Sequence, residues 1–289
     1  MFRYLLALLL VLPLSARALD VVASIRPLAL IADAVMEGQG RAHQLVPNGA
    51  SSHEYALRPS DRALLARADL VLWVGPVHEH FLPTALRGRD LLTAQNLPEL
   101  HKLSARRLSD GAAVAGSLDP HLWLSPDNAV VIARALAGAL AQKNPAHAAD
   151  YQRNADAFAG RIQLQKTELQ ARFMPLRKQP LLAYHDAWHY FDDAMGLNFQ
   201  GSLTPEPELK PGAQHVLLMA QRVQKAQISC LLAEPGADTA LARRIFGSRP
   251  FRMASVDELF ASTPRGPKGY ESGLAGMATE IQRCLSGSH

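Results

Sequence analysis

Four residues spread along this chain carry the donor chemistry of a divalent-metal site: His53, His121, His185 and Asp257. Neutral imidazole suits a borderline cation such as Zn²⁺, and three imidazoles with one carboxylate make a tetrahedral set. Taken singly, each has a plainer reading. A lone loop histidine is more often solvated or bonded within a turn, and Asp257 alone could simply cap the helix start near Glu258. The coincidence of four, two from each half, is what points to one shared cation. His121 is the most constrained of them, within Asp119-Pro120-His121-Leu122-Trp123-Leu124-Ser125-Pro126. Pro120 holds Asp119 extended, and Ser125 followed by Pro126 reads as an N-cap with proline at the first helical position.

Other candidates stand close by in sequence. His78 and His80 flank Glu79 at a helix start and read as a solvated surface pair, with a weak auxiliary site as the alternative. His189 follows His185 at i+4, and the two share a face only if one helix holds both. With His185 at the end of a strand, His189 reads as a surface residue or as one behind the ligands. Glu206 and Glu208 lie in a proline-rich loop from which either could orient a ligand imidazole through its other nitrogen. Cys230 and Cys284 are the only cysteines. In an oxidising compartment such a pair is most simply a disulfide, while the metal-ligand reading lacks a second Cys or a His at zinc-finger spacing.

The elements that must position these residues alternate. Strand patterns at 20–24, 41–46 and 70–74 are separated by helical ones at 27–37 and 59–67, and Leu70 to Val74 is a continuous apolar run stopped by Gly75-Pro76. Such runs are expected of buried parallel strands. After a small, polar stretch at 103–118, read as a surface loop, helices follow at 126–144 and 147–173. The second half repeats the alternation, with strands at 181–184, 198–203, 228–233 and 251–256 and helices at 186–195, 213–225, 239–246 and 270–285. The fold class expected is α/β, two doubly wound lobes joined by a long rigid helix. The expected divisions are 19–145, a linking helix at 146–177, and 178–289. His53, His185 and Asp257 then lie just past strands, and His121 on a comparable loop, where ligands gather in open α/β sheets.

Composition bounds the function. The chain has 289 residues, 48% of them hydrophobic and 19% charged, with a formal net charge of +4. That is a globular balance, and no basic block or aromatic-interleaved stripe suggests nucleic acid. Residues 1–18 read as a signal peptide: a basic start at Arg3, an apolar run from Tyr4 to Leu14 too short to span a bilayer, and Ala16-Arg17-Ala18 as the cleavage motif. No cysteine follows that motif to take a lipid anchor. The mature protein is expected to be soluble in a bacterial periplasm, with a formal charge of +2 once Arg3 and Arg17 are removed. A secreted zinc hydrolase is the rival class, with Asp257 as general base. However, H-E-x-x-H and G-x-S-x-G are both missing.

The sequence resembles the periplasmic zinc-binding proteins that serve ABC importers, the ZnuA-type solute-binding proteins. The stretches that carry the likeness are Asn48 to Tyr55 with Leu57-Arg58-Pro59-Ser60-Asp61, Ala68 to Pro76, and His121 to Pro126. Further on they are Tyr184-His185-Asp186-Ala187-Trp188 with Tyr190-Phe191, Pro207 to Gln214, and Cys230 to Pro235. The resemblance runs from about Val21 to Leu285. It implies a metal in the cleft between lobes, held by His53 and His121 from the first lobe and His185 from the second, with Asp257 or water completing the set. It also implies a Cys230–Cys284 bond, Zn(II) as cargo, an inner-membrane ABC permease as partner, a monomer, and only modest movement between lobes. Two departures stand out: Ser52 replaces an acidic residue that some members have, and residues 103–118 lack the histidine-rich loop that many carry. Manganese and iron relatives tend to place an acidic residue at the position of His185. A Mn/Fe-type receptor, a metal-binding adhesin and a metal chaperone are the neighbouring alternatives. Because imidazoles must be unprotonated to bind, affinity is expected to fall below about pH 6.

Overall fold

The computed structural model describes residues 18–206 and 209–287. Residues 1–17 of the signal-peptide reading, and Glu208, lie outside the described residues.

The first lobe is built from β1 (Val21–Ala23), α1 (Arg26–Val35), β2 (His43–Gln44), α2 (Pro59–Arg67), β3 (Leu70–Trp73) and β4 (Leu91–Thr93). The second is built from β5 (Pro180–Ala183), α5 (His189–Met195), β6 (Asn198–Ser202), α6 (Ala213–Ala226), β7 (Cys230–Ala233), α7 (Thr239–Phe246), β8 (Arg252–Ser255) and α8 (Gly269–Ser286). Each has a four-stranded sheet of the same topology, in the orders β2-β1-β3-β4 and β6-β5-β7-β8. Every pairing is parallel, with registers such as Val22 opposite Val71 and Leu182 opposite Leu231. The central strands β3 and β7 are buried along their whole length, which explains why they read as unbroken apolar runs.

The sequence reading differs from the structure at weak or edge elements. The ladder of β2 is two half-exposed residues rather than six, and β4 was not anticipated. Leu91-Leu92-Thr93 is an edge strand too short to show a period. The helix expected from Asp186 begins at His189, because Asp186 turns away to pair with Arg106. The surface loop at 103–118 has order of its own. Arg107 N–H donates to Ala112 O and Val114 N–H to Ala105 O, each at 2.8 Å, folding the segment back on itself. It docks on the second lobe, where Ser202 N–H donates to Leu108 O at 3.0 Å and the Arg106 guanidinium lies 3.5 Å from the Phe199 ring centroid. Gly201, at φ +132°, permits this approach: a Cβ there would fall 2.6 Å from Leu108 O.

Two helices tie the halves together. α3 (Pro126–Lys143) starts on the Ser125 cap, whose Oγ accepts from Asn128 N–H at 3.2 Å, and packs along α4 (Ala148–Phe173). At 26 residues, α4 is about 39 Å long at 1.5 Å per residue. It buries Tyr151, Ala155, Phe158, Ala159, Ile162, Leu169 and Phe173. One continuous apolar core runs from Val21 and α1 through α3 and α4 to Leu181, Cys230 and α8. An ion pair also crosses between the halves, Asp33 with Arg265 at 2.6 Å, and Arg161 of α4 pairs with Glu271 of α8 at 2.6 Å. The two lobes therefore share a core, and repacking it would be needed for a wide opening. Cys230 on β7 is disulfide-bonded to Cys284 on α8. No described helix is long and apolar enough to cross a membrane.

Candidate metal centre

His121 is held by the residue two before it. Oδ1 of Asp119 accepts from the main-chain N–H of His121 and from its ring Nδ1, both at 2.9 Å. With Nδ1 carrying the proton, Nε2 presents a lone pair, and it is buried with no hydrogen-bond partner. The other oxygen of Asp119 meets His189 Nδ1 at 3.2 Å. His185, directly after β5, repeats the device: its Nδ1 is bonded to Oε1 of Glu234, the residue that follows β7. His53, on the loop after β2, has Glu206 Oε2 at 3.6 Å from its Nδ1. His121 and His185 thus each have Nδ1 hydrogen-bonded to a carboxylate, which is how ligand imidazoles are oriented toward a cation through the other nitrogen, while Glu206 only stands near His53.

The rings converge. Centroids of His53 and His121 are 5.6 Å apart, His53 and His185 5.7 Å, and His121 and His185 5.1 Å. Rings bound through nitrogen to one ion at 2.0–2.1 Å have centroids roughly 5 Å apart, so the spacing fits a shared cation. Among the described residues, the group of donor atoms that all lie within 4.8 Å of one another includes a residue from outside the expected four and lacks His185 and Asp257. One ring nitrogen each from His53, His78 and His121 lies within 4.8 Å of the others. His185 stands just beside this trio.

His78 therefore needs correcting. Expected as half of a solvated surface pair, it is fully buried, with its ring 4.3 Å from that of His53 and 4.9 Å from Trp123. The turn after β3 is responsible. Gly75 sits at φ +141°, where a Cβ would collide with Gln95 at 2.1 Å, and its carbonyl accepts from His78 N–H at 3.1 Å and Glu79 N–H at 3.0 Å. Glu79 Oε2 accepts from Gly75 N–H at 2.9 Å, closing the turn. This directs His78 inward and leaves His80 exposed.

Asp257 is also placed differently from the expected ligand. Its Oδ1 accepts from Leu259 N–H at 3.0 Å and its Oδ2 from Ala261 N–H at 2.5 Å, so both oxygens cap its own turn. It lines a cavity of about 230 Å³ with His53, His185, Glu234 and Glu258, but does not join the donor trio. A larger cavity of about 630 Å³ reaches His53, His121 and His185 from the side of Arg106 and Glu206. His189 opens α5, so the i, i+4 argument with His185 does not apply. Sequence reasoning missed the partners Asp119 and Glu234. The available signals were an aspartate two residues before His121 and a glutamate at the carboxyl end of a buried strand.

The electrostatics suit a cation. Burial, then the neighbouring His121 and His185, push His53 down to about 2. The ring is therefore neutral at physiological pH, as a ligand must be. Burial also drives His78 well below the usual histidine value, with His53 and His121 adding to it. Burial opposes charge on His185 too, but the hydrogen bond and charge of Glu234 outweigh it and leave His185 raised. For Asp119, burial would favour the neutral acid. Hydrogen bonds from His121 and His189 overcome this and keep it ionised. Burial, then repulsion from Glu234, lifts Glu258 to about 8. The arrangement is a buried group of imidazoles backed by carboxylates, open to solvent on two sides.

Comparison with known proteins places this geometry in context. A family model described as "ZnuA: Zinc-uptake complex component A periplasmic" matches residues 21–284. A high-affinity zinc uptake system protein ZnuA of Brucella suis is 28% identical over 305 aligned residues, covering 92% of this chain and 91% of the relative. Among solved structures, a crystal structure of ZnuA superposes with a TM-score of 0.80 at 22% identity, covering 93% of this chain and all of that one. The solute-binding protein FpvC of Pseudomonas aeruginosa, in complex with Mn²⁺, gives 0.77 at 18% identity over 94% of this chain and all of that one.

Proposed function

We propose that this chain, which belongs to the ZnuA family of periplasmic zinc-uptake components, captures Zn(II) between its lobes and delivers it to an inner-membrane ABC importer. The observation that carries the reading is the clustering of the rings of His53, His121 and His185, with centroids 5.1–5.7 Å apart and carboxylates beside them. Nitrogen-rich sets favour Zn²⁺ over Mn²⁺, which prefers carboxylate, carbonyl and water oxygens. A manganese receptor, suggested by the FpvC complex, fits this donor set less well.

In this reading the work of the protein is binding and presentation, with ligand exchange at the ion and no covalent chemistry. His121 and His185 are pre-oriented by Asp119 and Glu234, so little ordering is needed when the ion arrives. The shared core keeps the lobes close. Exchange of the ion then depends on small movements of loops around the two cavity mouths. Export through residues 1–18, a periplasmic location, a monomeric state and docking on a permease all belong to this proposal, as does the lack of a catalytic role.

The test is a calorimetric titration of metal-free protein with Zn²⁺, Mn²⁺ and Cu²⁺, repeated on His121→Ala. One zinc per chain, bound far more tightly than manganese and severely weakened by the substitution, supports the reading. Unchanged zinc stoichiometry and affinity in His121→Ala would remove the residue from the centre and the reading with it.

A further inference from the structure

We propose that His78 is a ligand of this same centre, so that the cation is held by four imidazoles, those of His53, His78, His121 and His185. The inference rests on the zinc-receptor reading and gives it a specificity-determining residue.

Three observations carry it. His78 is fully buried, and neither Nδ1 nor Nε2 has a hydrogen-bond partner. A structural histidine inside a protein pairs at least one nitrogen, because an unpaired buried polar atom is costly. The expense of placing this one is recovered if a metal takes a nitrogen. A ring nitrogen of His78 also lies within 4.8 Å of ring nitrogens of His53 and His121. Finally, the ring is aimed rather than merely tolerated. The Gly75 turn, locked by Glu79 and closed against Gln95, sets its direction, and Trp123 backs it at 4.9 Å.

Most carboxylates beside the rings are engaged elsewhere, Glu258 excepted, whose Oε2 is buried without a partner. Asp257 caps its own turn. Asp119 holds His121 and His189, Glu234 holds His185, and Glu206 faces Nδ1 of His53. Negative charge is thus kept one layer out, and the inner layer is neutral nitrogen. A cation held in that way retains its full dipositive charge, offset by carboxylates it does not touch. Such a site discriminates most strongly against hard, oxygen-seeking ions such as Mn²⁺, while Cu²⁺ remains a competitor.

The experiment is zinc K-edge X-ray absorption on protein loaded with one equivalent of Zn²⁺, wild type beside His78→Leu, with zinc and manganese titrations of both. Four imidazoles are expected in the wild type and three plus a light-atom donor in the variant. Zinc affinity should drop by more than the roughly 10–100-fold that loss of an outer partner costs, and the preference for zinc over manganese should narrow. Leucine fills the same space against Trp123 and leaves no unpaired nitrogen, so metal-free His78→Leu should melt no lower than wild type. Identical spectra and affinities for the two proteins would overturn the inference, and a lower melting point with an unchanged zinc spectrum would assign His78 to packing. Failure of the receptor reading shows separately, as a wild-type protein that takes up no stoichiometric zinc.

Discussion

One oxygen of Asp119 accepts both the main-chain N–H and the ring Nδ1–H of His121, each at 2.9 Å. These two hydrogen bonds to a single atom fix the tautomer and the plane of the ring together. Replacing the carboxylate by an amide keeps the shape and loses the charge. Asp119→Asn is expected to weaken zinc binding by about 10–100-fold with its stoichiometry intact. Isothermal titration checks this, and an affinity equal to wild type would show that His121 needs no such support.

The pH dependence of binding should be set by a histidine held above its usual value. The sequence alone suggested a loss below about pH 6. In the structure His53, pushed to about 2, offers no proton competition near neutrality. His185 does, because Glu234 raises it above its usual 6.5. A proton on Nε2 of His185 must leave before metal binds, so affinity falls as pH drops through that raised value. The sign for folding differs. Without metal, the His185–Glu234 pair stabilises the fold fully below pH 6.5 and fades as pH rises through the folded value. Glu234→Gln should move the fall in zinc affinity to lower pH in a titration series. An unmoved midpoint would detach Glu234 from the proton.

The Cys230–Cys284 bond joins β7 to α8 across a separation of 54 residues. On the chain-entropy model its loss costs about 4 kcal/mol. The doubly substituted Cys230→Ala/Cys284→Ala protein should lose stability on that order in urea denaturation while binding one zinc as before. A change under about 1 kcal/mol would mean the packing of α8 alone holds this edge.

Arg265 reaches from the second lobe to the buried carboxylate of Asp33 on α1, at 2.6 Å, and also donates to Ala42 O at 2.8 Å. Arg265→Ala would strand that carboxylate in the shared core, at a cost of about 3 kcal/mol. Asp33→Asn in the same background should recover part of the loss. Denaturation midpoints of the single and double variants measure this directly. Purely additive losses would show that the two side chains are not coupled.

The fold was legible where the chain is most buried. Leu70 to Trp73 and Cys230 to Ala233 are central strands in unbroken apolar runs, and Ser125-Pro126 announces α3 on its own. β4 was silent because three half-exposed edge residues carry no pattern. At the site, His53, His121 and His185 could be singled out by their places past strands and between prolines. His78 was not, because Val77-His78-Glu79-His80 reads locally as a polar helix start. Its inward direction comes from the Gly75 turn and from Gln95, twenty residues along. Asp257 shows the converse. Its residue type fits a ligand, yet main-chain N–H groups of Leu259 and Ala261 claim both oxygens, a fact of the turn rather than of composition.

The central claim is that imidazoles from both lobes close on a single ion. Anomalous diffraction at the zinc edge, from crystals of protein loaded with one equivalent of Zn²⁺, locates that ion without assumption. The account predicts one peak, about 2.0–2.1 Å from ring nitrogens of His53 and His121 on one side and of His185 on the other. A peak bound by residues of only one lobe, or separate peaks on the two, would contradict it.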